Sequence, residues 1–244
     1  MKERVNPERR EFVKKSGILI TTTAVIQPAR LLAQGVAKLN SEKGSKEQNE
    51  TEISPIEDLM REHGVLARIL LIYDEIIKRF NTGKEFSPDV LVNSTGLIRR
   101  FVEDYHEKLE EDHLFPRFEK AGMLTDLVRI LFQQHQAGRR LTDRIKGLAT
   151  LPSLKAPGEK AELAKYLGLF TRMYRPHKAR EDTVLFPAFH SVVSPKEFDS
   201  LGDLFEDEEQ KLFGRNGFER VVEEVAALEK KLGIYELSGF TPNL

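Results

Sequence analysis

The stretch that decides the fold is His106-Glu107-Lys108-Leu109-Glu110-Glu111-Asp112-His113-Leu114-Phe115-Pro116-Arg117-Phe118, because it occurs twice. Its second copy is His177-Lys178-Ala179-Arg180-Glu181-Asp182-Thr183-Val184-Leu185-Phe186-Pro187-Ala188-Phe189. In both, a Glu follows the His by four places, an acidic residue follows that Glu, and Leu-Phe-Pro-x-Phe closes the segment. Each copy also has an upstream histidine in a related setting. Leu59-Met60 precedes His63 as Leu131-Phe132 precedes His135. The two pairs, His63 with His106 and His135 with His177, are equally spaced to within one residue. The chain therefore reads as a duplicated helical hairpin that presents four histidines and two carboxylates, a set suited to a metal site inside a four-helix bundle.

Apolar periodicity supports four helices. The stripe Ile56, Leu59, His63, Leu66, Leu70, Tyr73, Ile77, Phe80 advances by threes and fours, the period of one helix face. It begins at Ser54-Pro55-Ile56-Glu57, an N-cap, a first-turn proline and the glutamate of a capping box, and ends at Asn81-Thr82-Gly83. The second helix starts at Ser87-Pro88 and runs through Ile98, Val102, His106 and Leu109 toward Pro116. The third takes Leu124, Val128, Leu131, His135, Gly138, Thr142 and Ile145. The fourth takes Leu163, Phe170, Tyr174, His177, Glu181 and Val184. Thr150 to Gly158 joins the hairpins. Beyond Pro187, Phe198–Phe213 and Phe218–Leu232 read as two further amphipathic helices around a Gly214–Gly217 turn, packed on the bundle and without chemistry of their own. No strand alternation competes.

The chemistry follows from helix geometry. Residues four apart lie one above the other, so His106 with Glu110, and His177 with Glu181, can address one cluster together. Imidazole with carboxylate suits iron, zinc or manganese, and the absence of cysteine argues against iron–sulfur and soft thiolate sites. One histidine on an apolar face is ordinarily a satisfied core residue. Four, one per helix, beside two carboxylates are not, because a buried glutamate is costly without a cation or a proton. The competing view, that Glu110 and Glu181 belong to solvated acidic runs, is weakened by the repeat.

These residues resemble the hemerythrin-like (HHE cation-binding) family over Ser54 to Phe189. The resemblance implies an all-α, up-down four-helix bundle with two non-haem irons joined by an oxo or hydroxo bridge. Carried over by position, His63, His106, His135 and His177 are terminal ligands and Glu110 and Glu181 bridge the metals. The chain departs from the invertebrate oxygen carriers in two places. Arg139 stands where those have a fifth histidine, and they place the last carboxylate five residues after its histidine, the position of Asp182 here. Helical spacing favours Glu181, with Asp182 in reserve. Without the fifth histidine, about two positions on a pair of six-coordinate metals stay open. That favours O2, peroxide or NO as ligand. The expected roles are oxygen binding, scavenging or detoxification, with a di-iron enzyme reducing peroxide or NO as the alternative and iron storage as a second one.

Other residues lie close to this set in sequence. Tyr174, close to one turn before His177, is a candidate to line the pocket or donate a hydrogen bond there; the alternative is a core tyrosine. His113 lies about 10 Å along the helix from His106, too far for the same cluster. His190 is expected at the surface. Tyr105 and Glu107 neighbour a ligand but point elsewhere. Arg139 is expected at the solvated end of its stripe or paired with a buried carboxylate.

The N-terminus carries Glu8-Arg9-Arg10-Glu11-Phe12-Val13-Lys14, which resembles a twin-arginine export signal. The weakly apolar Gly17 to Ile26 that follows is shorter than the roughly 20 residues a membrane span needs. Gly35 and Ala37 suit a cleavage site, and Leu39 to Glu52 is polar and without apolar period. The expected division is a signal over 1–37, a linker over 38–53, the bundle over 54–190 and a helical extension over 191–244. The resemblance implies a bacterial, periplasmic or otherwise exported protein that uses the twin-arginine machinery and folds before export. In 244 residues with a formal net charge of −1 there is no dense basic face, which argues against a nucleic-acid partner.

Overall fold

The computed structural model describes residues 53–242. The signal-like segment and nearly all of the linker therefore lie outside the described residues. Every regular element among the described residues is helical.

Helix α1 is Pro55–Thr82. The Ser54 hydroxyl accepts from the Glu57 amide at 3.1 Å, and Pro55 takes the first turn, where its missing N–H costs nothing. Gly83, at φ 69°, ends the helix in the left-handed conformation glycine adopts without strain. Helix α2 runs continuously over residues 88–121 and α3 is Thr125–Leu148. The connection read as a plain linker contains one short helix, α4, Leu151–Lys155, capped by Thr150. Helix α5 covers residues 157–188, α6 is Pro195–Phe213 and α7 is Gly217–Leu232.

Helix α5 packs against α1 and α3, while α2 contacts both α1 and α3. The four thus enclose a common core of Leu59, Leu66, Tyr73, Phe101, Leu131, Leu167 and Phe170, all buried. Burial of such side chains contributes about 1.5–3 kcal/mol each. Helices α6 and α7 lie on α1, and α7 also touches the start of α2. Arg68 on α1 grips Glu229 on α7 with two hydrogen bonds of 3.0 and 2.5 Å, and Arg79 donates to the Leu232 carbonyl.

Helices α2 and α5 are not uniform. Both widen into a π turn directly after the paired glutamate, at Glu110–Leu114 and Glu181–Leu185. The Phe115 amide bonds the Glu110 carbonyl and the Phe186 amide bonds that of Glu181, five residues back in each case. The cause is in the repeat: Pro116 and Pro187 have no N–H and their rings crowd the carbonyl four residues earlier, so the wider turn relieves the clash. The turns hold the glutamates where the helices face one another.

Candidate metal centre

His63 on α1, His106 on α2, His135 on α3 and His177 on α5 converge at the middle of the core, and all four are buried. Each ring is fixed from behind by an acceptor on another helix. His63 Nδ1 donates to Asp182 Oδ1 at 2.7 Å, His106 Nδ1 to Glu62 Oε2 at 2.7 Å, His135 Nδ1 to Glu111 Oε1 at 3.1 Å and His177 Nδ1 to Gln134 Oε1 at 2.9 Å. The supports form a closed cycle: α1 holds the histidine of α2, α2 that of α3, α3 that of α5, and α5 that of α1. The cycle obeys the duplication. Glu62 and Gln134 each precede a histidine by one place, while Glu111 and Asp182 each follow one by five.

Because the outer partners can only accept at these oxygens, the proton of each neutral ring sits on Nδ1 and the Nε2 lone pair points inward. Two fully buried carboxylates meet those lone pairs. Glu110 places Oε1 3.8 Å from His106 Nε2 and Oε2 3.4 Å from His135 Nε2. Glu181 places Oε2 3.3 Å from His63 Nε2 and Oε1 3.1 Å from His177 Nε2. Each carboxylate therefore spans from the His63–His106 pair to the His135–His177 pair. None of the four oxygens has a hydrogen-bond partner. Lone pairs facing lone pairs in a dry core repel, and a cation between them removes the repulsion. The donor atoms of His63, His106 and Glu110, and of His135, His177 and Glu181, lie within 4.8 Å of one another, so two ions fit, one per histidine pair.

Electrostatics follow from the same packing. Burial pushes the Glu110 carboxyl well above its usual range, reinforced by the charge of Glu181. Glu181 is also opposed by burial, yet His177 and His63 hold it low. Burial lowers His106 well below the usual histidine value, and brings His135 to about 4 against the pull of Glu111. Burial works the same way on His63, but Asp182 and Glu181 outweigh it and raise its pKa. Apolar rings close the site: Phe186 stacks on His63 at 5.3 Å and Phe115 on His135 at 5.5 Å, the same residue of each repeat.

The remaining candidates lie elsewhere. Asp182 is behind His63, one ring away from the centre. Tyr174 lies edge-on to His177, but its hydroxyl donates to Glu107 Oε1 at 2.6 Å instead of facing the centre. Arg139 is paired with Glu107 at 2.9 Å and Glu111 at 2.7 Å. His113 is half-buried against Phe205, and His190 is exposed and stacked on Phe198. Sequence reasoning missed Glu62 and Gln134 altogether, although their matching places before His63 and His135 were a readable signal.

The model of the hemerythrin HHE cation-binding domain matches residues 54–189, and the chain belongs to that family. It is 48% identical over 196 residues to an uncharacterized protein of Mycobacterium bovis, Mb2018, and equally to the uncharacterized proteins MT2051 and Rv1995 of Mycobacterium tuberculosis. The match covers 80% of this chain and 77% of each relative. No solved structure matches significantly. Metal binding at a His/Glu site is thus what the family and the geometry share. No helix among the described residues is long and apolar enough to cross a membrane.

Proposed function

We propose that the chain is an exported non-haem di-iron protein, an up-and-down four-helix bundle that binds O2 or a related small oxidant for oxygen binding, scavenging or detoxification. The observation that carries this reading is the pair of carboxylates, Glu110 and Glu181, each reaching both histidine pairs with all four oxygens lacking a hydrogen-bond partner. His63 and His106 would hold one iron, His135 and His177 the other, with Glu110 and Glu181 across both. Such a pair, when bound, would supply electrons and open coordination positions to a small oxidant.

The protein's own groups set the conditions. The outer acceptors fix each ring and keep its inner nitrogen unprotonated, which strengthens it as a donor. Phe115 and Phe186 exclude water. Arg139 is held by Glu107 and Glu111, away from the centre, and adds no donor on the His135–His177 side. That last point favours a second reading, a di-iron enzyme reducing peroxide or NO, over a pure carrier. Export by the twin-arginine route and a periplasmic location rest on the Arg9-Arg10 segment alone. Mixing the anaerobically reduced protein with O2, peroxide and NO in turn separates the readings. A stable, reversible adduct with O2 supports binding; multiple turnovers of peroxide or NO support the enzyme; inertness toward all three overturns both.

A further inference from the structure

The seam between α3 and α5 opens to solvent in a groove of about 540 Å3. Its floor is apolar, with Leu141 from α3 and Leu169 and Met173 from α5. Leu169 is left 44% exposed. Arg140 and Arg144, one turn apart on α3, and Arg172 on α5 line the same groove, and no acidic side chain does. Their guanidinium groups make no hydrogen bond or ion pair among the described residues. Glu162, near the Arg144 end, instead accepts from the Tyr166 hydroxyl at 2.7 Å. Arginines elsewhere are matched: Arg68 pairs with Glu229, Arg79 with Glu75, Arg99 with Asp143 and Arg117 with Glu197. Like charges around one hollow repel, weakly because water screens them, and they raise the local concentration of anions.

We propose that this groove binds a small amphipathic anion, a carboxylate carried on a hydrocarbon chain. Hollows of about 300–1,000 Å3 suit small molecules. A guanidinium fork takes a carboxylate with two parallel hydrogen bonds, and the apolar floor takes the chain out of water. A bare inorganic anion would leave Leu169 and Met173 wet, and a neutral lipid would leave three guanidinium groups unmatched. The seam also gives the chain room to extend. Gln134 and Pro176 line both this groove and a second hollow, of about 480 Å3, whose lining includes Ile130, Leu131 and His177. Gln134 Oε1 accepts from His177 Nδ1 at 2.9 Å. The chain would therefore run over the residue that orients one histidine of the metal centre.

The test is isothermal titration calorimetry of the full chain with decanoate, kept below its micelle concentration. The expected result is saturable binding, weakened about tenfold in Arg144→Gln and in Arg172→Gln by loss of a charge-assisted contact. Leu169→Glu, which sets a carboxylate on the floor, should abolish it. Arg175→Gln, on α5 but outside the groove and paired with Asp74, should bind as the wild type does. Decanol and acetate, each with half of the recognised chemistry, should bind much more weakly than decanoate. Circular dichroism verifies the fold of each variant. His106→Ala, which should lose most of the metal, should keep decanoate binding, so this inference and the di-iron reading fail separately. No saturable heat with the wild type, decanol bound as well as decanoate, or an affinity unchanged in both arginine variants would each overturn the proposal. Sedimentation with anionic phospholipid vesicles, without uptake of free decanoate, would also overturn it by making the groove a membrane contact.

Discussion

Replacing Asp182 by Asn, and in parallel Glu181 by Gln, separates two adjacent carboxylates that the sequence leaves as rivals for one role. Asp182 Oδ1 lies 2.7 Å from His63 Nδ1 and its carboxyl is held below the usual range; burial opposes this, but the bond to His63 prevails. The amide of Asp182→Asn keeps the size and one acceptor oxygen while losing the charge. Outer partners of ligand histidines are worth 10–100-fold in metal affinity, or about 1.4–2.8 kcal/mol at about 1.4 kcal/mol per tenfold. Asp182→Asn should therefore still bind two metals per chain, about 10–100-fold more weakly on the His63 side. Glu181 faces both histidine pairs, so Glu181→Gln should lose affinity at both positions and retain at most one ion. Competition with a chelator of known affinity, read by metal analysis of the protein fraction, gives both numbers. If Asp182→Asn empties the centre while Glu181→Gln leaves it loaded, the roles of the two residues are reversed and Glu181 is not the shared carboxylate.

Three other outcomes follow from the packing. Gly138→Ala would put a Cβ 1.9 Å from the Tyr174 hydroxyl and 2.8 Å from its ring carbon, so overpacking of about 1–3 kcal/mol adds to a lost Tyr174–Glu107 bond of about 1 kcal/mol. In denaturant unfolding, Gly138→Ala combined with Tyr174→Phe should cost less than the sum of the two, and strict additivity would contradict the contact. In the metal-free protein His135 titrates at about 4 in place of 6.5, because burial disfavours its charge. Stability from this group is complete above pH 6.5 and lost as pH falls toward 4, by about 3 kcal/mol at 1.36 kcal/mol per unit. His135→Gln should flatten that slope in thermal melts, and an unchanged slope would refute the cause. His106→Ala and Glu110→Ala should each lose most of the metal, whereas His190→Ala, at an exposed ring, should lose none; an emptied centre in His190→Ala would place the ligands on the wrong faces.

Much of this site could be read from the chain before the structure. Steps of three and four placed one histidine on each inward face, and the duplicated His-x-x-x-Glu put Glu110 and Glu181 one turn beyond their partners. What escaped depends on contacts between helices, which periodicity within a helix does not encode. That Glu62 turns to His106, and Gln134 to His177, follows from how α1 meets α2 and α3 meets α5. Tyr174 was left between pocket and core because its outcome depends on a small residue on another helix: Gly138 opens the space in which its hydroxyl reaches Glu107. The π turns at Glu110–Leu114 and Glu181–Leu185 were announced by Pro116 and Pro187, but a pattern read at 3.6 residues per turn has no place for an extra residue, and no proline marks the longer π segment Ile98–His106.

The central claim is two metal ions between four histidines and two shared carboxylates. Metal analysis of the purified protein, with an optical spectrum taken anaerobically and then after O2, tests it most directly. About two irons per chain, antiferromagnetically coupled when oxidised, with a charge-transfer band that grows on exposure to O2, is the predicted result. A single ion per chain, or none after reconstitution with ferrous iron, would contradict it.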